Sequence, residues 1–225
     1  MKGEIRGFIF DLDGVIVDTA KYHYQSWVRL AKTFGYHFKK QDNEALKGVS
    51  RMQSLEIILR LAGEKRSTAE KEIMCAQKNE WYLELIQGMT KENALPGVNR
   101  FIRNLRRRNK KVALGSASKN ARTILKQIKM IHLFDAIVDG TNISKGKPDP
   151  EVFIKAAKAL KVKTEECLVF EDAEKGIEAA KAASMYTVGV GDRKILHEAD
   201  LVISTFNQLT WRSIKSKILA SKQDP

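Results

Sequence analysis

The chain has 225 residues, 43% hydrophobic and 30% charged, enough apolar material for a sizeable core, which excludes a disordered or fibrous sequence. Lys and Arg total 40 against 27 Asp and Glu, a formal net charge of +13 that favours anionic ligands. No recognition-helix, zinc-finger or aromatic-rich RNA-binding pattern accompanies that charge, and no disulfide framework, long apolar span or signal peptide is visible, so no nucleic-acid or membrane partner and a cytoplasmic setting are expected.

The apolar run Gly7-Phe8-Ile9-Phe10 reads as a short buried strand, and Asp11-Leu12-Asp13-Gly14 follows it directly. Two carboxylates one residue apart repel each other, so the pair needs a cation or a proton. From about Thr19 to Glu92 the apolar residues recur at helical spacing. Tyr24, Trp27, Val28 and Ala31 form one set, Leu55, Ile58, Leu59 and Ala62 a second, and Trp81, Leu85 and Ile86 a third. Gly35 and Gly63 punctuate this stretch, and Asn93-Ala94-Leu95-Pro96-Gly97 marks a turn out of it. An amphipathic helix on Val98, Phe101, Ile102 and Leu105 comes next. It ends in the densest basic cluster, Arg100, Arg103, Arg106, Arg107, Arg108, Lys110 and Lys111, where cations suit the helix dipole.

Beyond it the chain alternates. Short strands are expected at Val112-Ala113-Leu114, Ala136-Ile137-Val138, Cys167-Leu168-Val169-Phe170, Thr187-Val188-Gly189-Val190 and Leu201-Val202-Ile203. Helices through Ile124 and Leu125, through Val152, Phe153, Ala156 and Leu160, and through Ile177 and Ala180 separate them. The pattern predicts an α/β fold: a doubly wound parallel-sheet, Rossmann-like core (residues 1–17 and 93–225) with an inserted α-helical cap domain (residues 18–92). Ser221–Pro225 is expected to fray. Gly189-Val190-Gly191 lacks the third glycine of a dinucleotide loop and comes late in the chain, so it carries little weight.

In such sheets ligands bind beyond the carboxyl ends of the strands. Those ends would deliver Asp11 and Asp13, then Ser116-Ala117-Ser118-Lys119-Asn120, then Glu171-Asp172, with Lys147-Pro148 between the last two. Each has a plainer reading alone: a turn, helix caps, first-turn acids, a loop lysine. Together they suit phosphoryl transfer. Asp11 would be the nucleophile and Asp13 the general acid and base. Mg²⁺ would sit on Asp11 and Asp172 with Glu171 close by. Lys147 would add positive charge, and Ser116 and the Ala117 amide would bind phosphate oxygens.

These four motifs resemble those of the haloacid dehalogenase superfamily across essentially the whole chain. The resemblance implies an aspartyl-phosphate on Asp11 and Mg²⁺ with the backbone carbonyl of Asp13 as a further ligand. The insertion is similar to that of the sugar phosphomutases in the superfamily. Asp18-Thr19-Ala20-Lys21-Tyr22-His23 resembles the segment after their nucleophile, Leu46-Lys47-Gly48-Val49-Ser50-Arg51 with Ser54 their specificity loop, and Lys78-Asn79 falls where their cap lysine is expected. The resemblance places Thr19, His23, Trp27, Lys47, Gly48, Val49, Arg51, Ser54 and Lys78 beside Ser116, Ala117, Ser118, Lys119, Asn120 and Lys147 in substrate and phosphate binding. Arg51, Ser118, Lys119 and Asn120 could form the anion site for the phosphate far from Asp11.

The implied reaction interconverts β-D-glucose 1-phosphate and D-glucose 6-phosphate, with β-glucose 1,6-bisphosphate as intermediate and activator, in a monomeric enzyme acting on a small phosphorylated sugar. The alternative is a sugar-phosphate or phosphoglycolate phosphatase, which would share every core residue but admit water to the aspartyl-phosphate. A phosphate-sensing or nucleic-acid-binding module with vestigial catalysis is a third reading, and intact Asp11, Asp13, Lys147 and Asp172 argue against it.

Overall fold

β1 (Gly7–Phe10), β2 (Lys111–Gly115), β3 (Ala136–Val138), β4 (Cys167–Glu171), β5 (Tyr186–Val190) and β6 (Leu201–Ile203) form one parallel sheet in the order β3-β2-β1-β4-β5-β6. This computed structural model describes residues 4–46 and 48–220, so Lys47 and the Ser221–Pro225 tail lie outside the described residues. Strand order reverses between β1 and β4, which opens a crevice at their carboxyl ends. All of the strands expected from sequence are present, each within about two residues of its expected bounds.

The side-chain period of two explains why both faces of the sheet are apolar. Phe8 and Phe10, Val112 and Leu114, and Leu168 and Phe170 point into one core. That core is closed by α5 (Val98–Arg107), α6 (Ala121–Gln127) and α9 (Trp211–Ala220). Ile9, Ala113, Cys167 and Val169 point into the other, under α7 (Glu151–Leu160) and α8 (Glu174–Ala182). α5 buries Val98, Phe101, Ile102 and Leu105 and turns its arginines outward; Arg106 bonds Asp135 at 2.9 Å. Among the described residues no helix is long and apolar enough to cross a membrane.

Between β1 and β2 lie α1 (Ala20–Lys32), α2 (Lys40–Glu44), α3 (Arg51–Leu61) and α4 (Thr68–Ile86). They enclose a separate core of Trp27, Leu30, Ala31, Phe38, Leu46, Leu55, Ile58, Leu59 and Cys75. α3 and α4 each start with a capping box, Ser50 with Gln53 and Ser67 with Glu70, which satisfies amides that a helix start leaves unpaired. The two chain crossings that join the insertion to the sheet run side by side. Val17 pairs with Ala94, and the Leu95 amide donates to the Ile16 carbonyl at 2.8 Å.

The central strands meet the helices through an aromatic cluster. Phe10 and Phe170 stack with centroids 4.5 Å apart and planes within 4°, and Phe101 and Phe206 pack on them at 5.5 to 6.3 Å. Gly97 starts α5 with φ of 86°, and a Cβ there would lie 2.6 Å from the Phe206 carbonyl. Gly97→Ala is therefore expected to lower stability by about 1–3 kcal/mol, through both strain and displacement of Phe206. A urea midpoint unchanged from the parent would refute this.

Candidate active site

The strand register builds the site. Phe10 pairs with Phe170, and the Asp11 amide donates to the Phe170 carbonyl at 3.0 Å, so the next residues on the two strands, Asp11 and Glu171, emerge together. Asp172 follows. Asp11, Glu171 and Asp172 each offer an oxygen, and those oxygens lie within 4.8 Å of one another. Two glycines make room for them. Gly14 has φ of 77°, and a Cβ there would overlap the Asp172 carboxylate. A Cβ on Gly176, in the first turn of α8, would overlap the Glu171 carboxyl. A compact all-oxygen set with side chains removed around it fits a hard divalent cation such as Mg²⁺.

Lys147 closes the set. Its ammonium is fully buried and donates to Asp11 Oδ1 at 2.6 Å and to Glu171 Oε2 at 2.7 Å. Burial works against its charge, but the pairing with Asp11 and Glu171 more than compensates and raises its pKa above the ordinary lysine value. Burial pushes the Glu171 carboxyl up, Lys147 pulls it back and Asp11 adds to the rise, for a net upward direction.

After β2 the chain turns through Ser116 to Asn120. Ser116 is buried, its amide donates to the Val138 carbonyl at 3.0 Å, and its Oγ accepts from the Ser118 amide at 3.1 Å. Ser118 Oγ accepts from the Asn120 amide at 3.3 Å. Both hydroxyls cap the turn as acceptors and keep their own protons to donate. Ala117 is half-buried and Lys119 is exposed.

Asp13 faces the insertion. Thr19 stands at the N-cap position of α1 but leaves the helix start uncapped and donates its hydroxyl to Asp13 Oδ1 instead. His23 Nε2 lies 3.8 Å from the same oxygen, and its Nδ1 lies 3.1 Å from Lys78 Nζ. When Lys78 carries its proton it can only donate, so Nδ1 then accepts and the His23 proton sits on Nε2, towards Asp13. Burial first, then Lys78 and Arg51, hold His23 well below its usual pKa, which keeps the imidazole neutral. Burial raises Asp13 to about 6, helped by repulsion from Asp11 and opposed by the Thr19 hydrogen bond. A carboxyl that titrates near neutrality can both take and return a proton.

The remaining expected residues divide into two groups. Arg51, at the start of α3, donates to Asn79 Oδ1 at 2.7 Å, and Asn120 Nδ2 donates to the same oxygen at 2.8 Å, so Arg51 and the Asn120 turn meet across the seam. Gly48 has φ of 73°, and its Cβ position lies 3.1 Å from Ala173 Cβ, against the loop that follows Asp172. Val49 is half-buried. Trp27 and Ser54 are buried within the insertion, and the Trp27 ring lies under Lys78 Nζ at 4.6 Å. Trp27 thus supports Lys78 from below.

Sequence reading missed three site residues. Asn79 joins Arg51 to Asn120, Tyr82 packs against His23 with ring centroids 4.3 Å apart and planes tilted by 37°, and Gly176 clears space for Glu171. Only Gly176, a glycine inside a helical pattern, carried a local signal.

A doubly wound sheet with carboxylates at the ends of two adjacent central strands, a buried lysine between them and a helical insertion after the first strand defines the haloacid dehalogenase architecture. A family model for haloacid dehalogenase-like hydrolases matches residues 8–190, and the chain belongs to that family. It is 45% identical over 208 residues to the β-phosphoglucomutase of Bacillus subtilis, covering 92% of each chain. A phosphorylated carbohydrates phosphatase of Thermotoga maritima is 30% identical over 86% of this chain and 91% of that protein. The solved structure of the β-phosphoglucomutase of Clostridium difficile superposes with a TM-score of 0.93 at 42% identity, over 96% of this chain and 98% of that one.

Burial first, then Arg51, lowers Lys78 to about 7. Between pH 7 and its ordinary value near 10.5 the unfolded chain therefore binds the extra proton, and folding stability contributed at this site rises with pH. Lys78→Met is expected to flatten the increase in unfolding free energy between pH 7 and 9.5 by about 2 kcal/mol. Parallel stability–pH curves for the two proteins would contradict the assignment.

Proposed function

We propose that the protein is a Mg²⁺-dependent phosphomutase that interconverts β-D-glucose 1-phosphate and D-glucose 6-phosphate through β-glucose 1,6-bisphosphate. The observation that carries this reading is the second cluster of anion donors at the seam, where Arg51 of the insertion meets Asn120 of the core. A hydrolase needs one phosphate site. A mutase must hold a sugar at both ends, and the identity with the Bacillus subtilis protein supports the same conclusion.

In this reading a sugar hydroxyl gives its proton to the Asp13 carboxylate while its oxygen attacks the phosphoryl group on Asp11. The new P–O bond forms as the bond to the Asp11 carboxylate breaks, which gives the bisphosphate. After the sugar turns round, Asp11 attacks the other phosphate and Asp13 returns the proton to the leaving oxygen. Thr19 and His23 hold Asp13 towards the insertion, and Lys147 keeps Asp11 aimed and balanced in charge. Asp11, Glu171, Asp172 and the Asp13 carbonyl would hold Mg²⁺, which supplies charge neutralisation at the phosphoryl oxygens. Ser116 and the Ala117 amide bind the phosphate being transferred. Arg51, Ser118, Lys119 and Asn120 bind the distal one. The insertion acts as a cap domain hinged at Val17 and Ala94, and its closure keeps water from the aspartyl-phosphate.

With β-glucose 1-phosphate, Mg²⁺ and a trace of the bisphosphate, glucose 6-phosphate should accumulate with little release of free phosphate. Phosphate release equal to substrate consumed would identify a phosphatase instead. Asp11→Asn is expected to lower turnover by about 10⁴-fold or more, and chelation of Mg²⁺ to abolish it reversibly. Retained turnover in either case would remove the corresponding group from the mechanism.

A further inference from the structure

The net positive charge of the chain is gathered on one side of the sheet. From Gly97 to Asp135 there are eleven Lys and Arg and a single acid, Asp135; from Thr205 to Ala220 there are three and none; the rest of the chain balances at 26 of each sign. These two stretches supply α5, α6 and α9, which cover the same face, and none of the three helices carries an Asp or Glu. α7 and α8 on the other face mix both signs. Arg106, Lys110 and Arg122 pair with Asp135, Glu4 and Asp139 at 2.9, 2.6 and 3.2 Å. Among the described residues no carboxylate pairs with Arg100, Arg103 or Arg107, which stand exposed at positions i, i+3 and i+7 of one stripe on α5. Arg103 donates to Asn99 Oδ1 at 2.7 Å and Arg107 to Asn104 Oδ1 at 3.5 Å, both neutral acceptors. With Asn207 from the loop before α9, these side chains line an open recess of about 460 Å³.

A face of one sign repels itself, and an anion laid along it removes that cost. The chemistry of the anion follows from what the face lacks. The most exposed large apolar side chains, Leu61, Ile73, Leu85, Ile154 and Ile195, all lie off this layer. A membrane-surface helix needs an apolar face to bury, and a protein interface needs an apolar or aromatic centre; α5, α6 and α9 turn theirs inward. Trp211 packs edge-on against Phe8 with centroids 5.0 Å apart, so its ring is engaged in the core and does not offer a platform for an unpaired base. What faces outward is a row of guanidiniums and amides, donors that suit phosphate oxygens. We propose that the layer of α5, α6 and α9 is a docking surface for duplex nucleic acid, held by its phosphate backbone without reading of sequence, with Arg100, Arg103 and Arg107 at its centre. Such a surface needs no recognition helix or zinc finger, so charge is its only mark in the sequence. The basic run that ends α5 reaches Lys111, which pairs with Gly7 at the start of β1, and Lys215 of α9 acts on the same Glu4 as Lys110. That edge of the sheet is opposite the strand ends that carry Asp11 and Glu171, so a duplex seated there stands clear of the carboxylate cluster.

The test uses the full chain and a fluorescent, mixed-sequence DNA duplex two helical turns long, with binding read by anisotropy over a range of salt. Affinity of the parent should fall with rising salt, by about four decades or more per decade of salt. Arg100→Glu, Arg103→Glu and Arg107→Glu combined should weaken binding by about 100-fold or more at about 0.1 M salt and lower the salt slope by about 3. Lys158→Glu, Lys163→Glu and Lys181→Glu combined, on exposed residues of the opposite face, make the same change in net charge and should weaken binding by less than about fivefold. Arg→Gln at the same three arginines keeps side-chain length and should lower both affinity and slope in the same direction, which decides the matter if charge reversal prevents folding. Equal losses in the two charge-reversed proteins, or a parent that does not bind the duplex, would overturn the proposal. So would tighter binding to the single strand, to phosphatidylserine vesicles or to polyglutamate than to the duplex.

Discussion

The ammonium of Lys147 lies 2.6 Å from Asp11 and 2.7 Å from Glu171, with no exposure to solvent, and the carboxylate cluster at the strand ends depends on it. Asp11, Glu171 and Asp172 bring three like charges to one point, which burial alone would force to protonate. One buried lysine offsets part of that charge at fixed distance, and the remainder suits a divalent cation. The arrangement is costly to disturb. Removing one partner of a buried ion pair typically costs about 3–5 kcal/mol, because the other charge stays behind unpaired. The site and the stability of the sheet's centre are therefore the same problem.

Backbone geometry does much of the aiming of those charges. The parallel register of β1 with β4 sets Phe10 against Phe170, and their stacked rings fix the two strand ends below the acids. Gly14 and Gly176 then remove side-chain volume where the Asp172 and Glu171 carboxyls must lie. A rigid aromatic floor below and absent side chains beside the acids work together with the Lys147 bonds to position the cluster. Asp13 is held differently. Its partners Thr19 and His23 lie at the start of the insertion and on its first helix, so the proposed acid–base group is held from the insertion and not from the sheet.

Sheet and motifs were legible in the sequence because each is local. A run such as Phe8-Ile9-Phe10 is apolar on every residue because helices cover both faces of a parallel sheet, and the chemistry follows at its end. Asp11, Lys147 and Glu171 could be assembled on paper because strand ends share one rim. What the sequence did not convey is contact across distance. Asn79 reads as a polar residue on a helix, and only the fold shows Arg51 and Asn120 converging on it. Trp27, which the resemblance places in substrate binding, lies in the insertion's own core with its ring beneath Lys78. Lys47 lies outside the described residues.

The core is chemically indifferent to the fate of an aspartyl-phosphate. In the proposed mechanism Asp11, Lys147, Glu171 and Asp172 would serve formation and breakdown of that bond equally, whether the acceptor is water or a sugar hydroxyl. The choice depends on how often Asp13 is in place when only water is near. Thr19 and His23 belong to the insertion, so in the proposed mechanism Asp13 would be fully supported only when the insertion is down on the core. Closure also narrows access for water. A cap that closes over a bound sugar phosphate would bring the sugar hydroxyl in and keep water out, so the selectivity for transfer over hydrolysis would reside in the seam between insertion and core rather than in the reacting groups themselves.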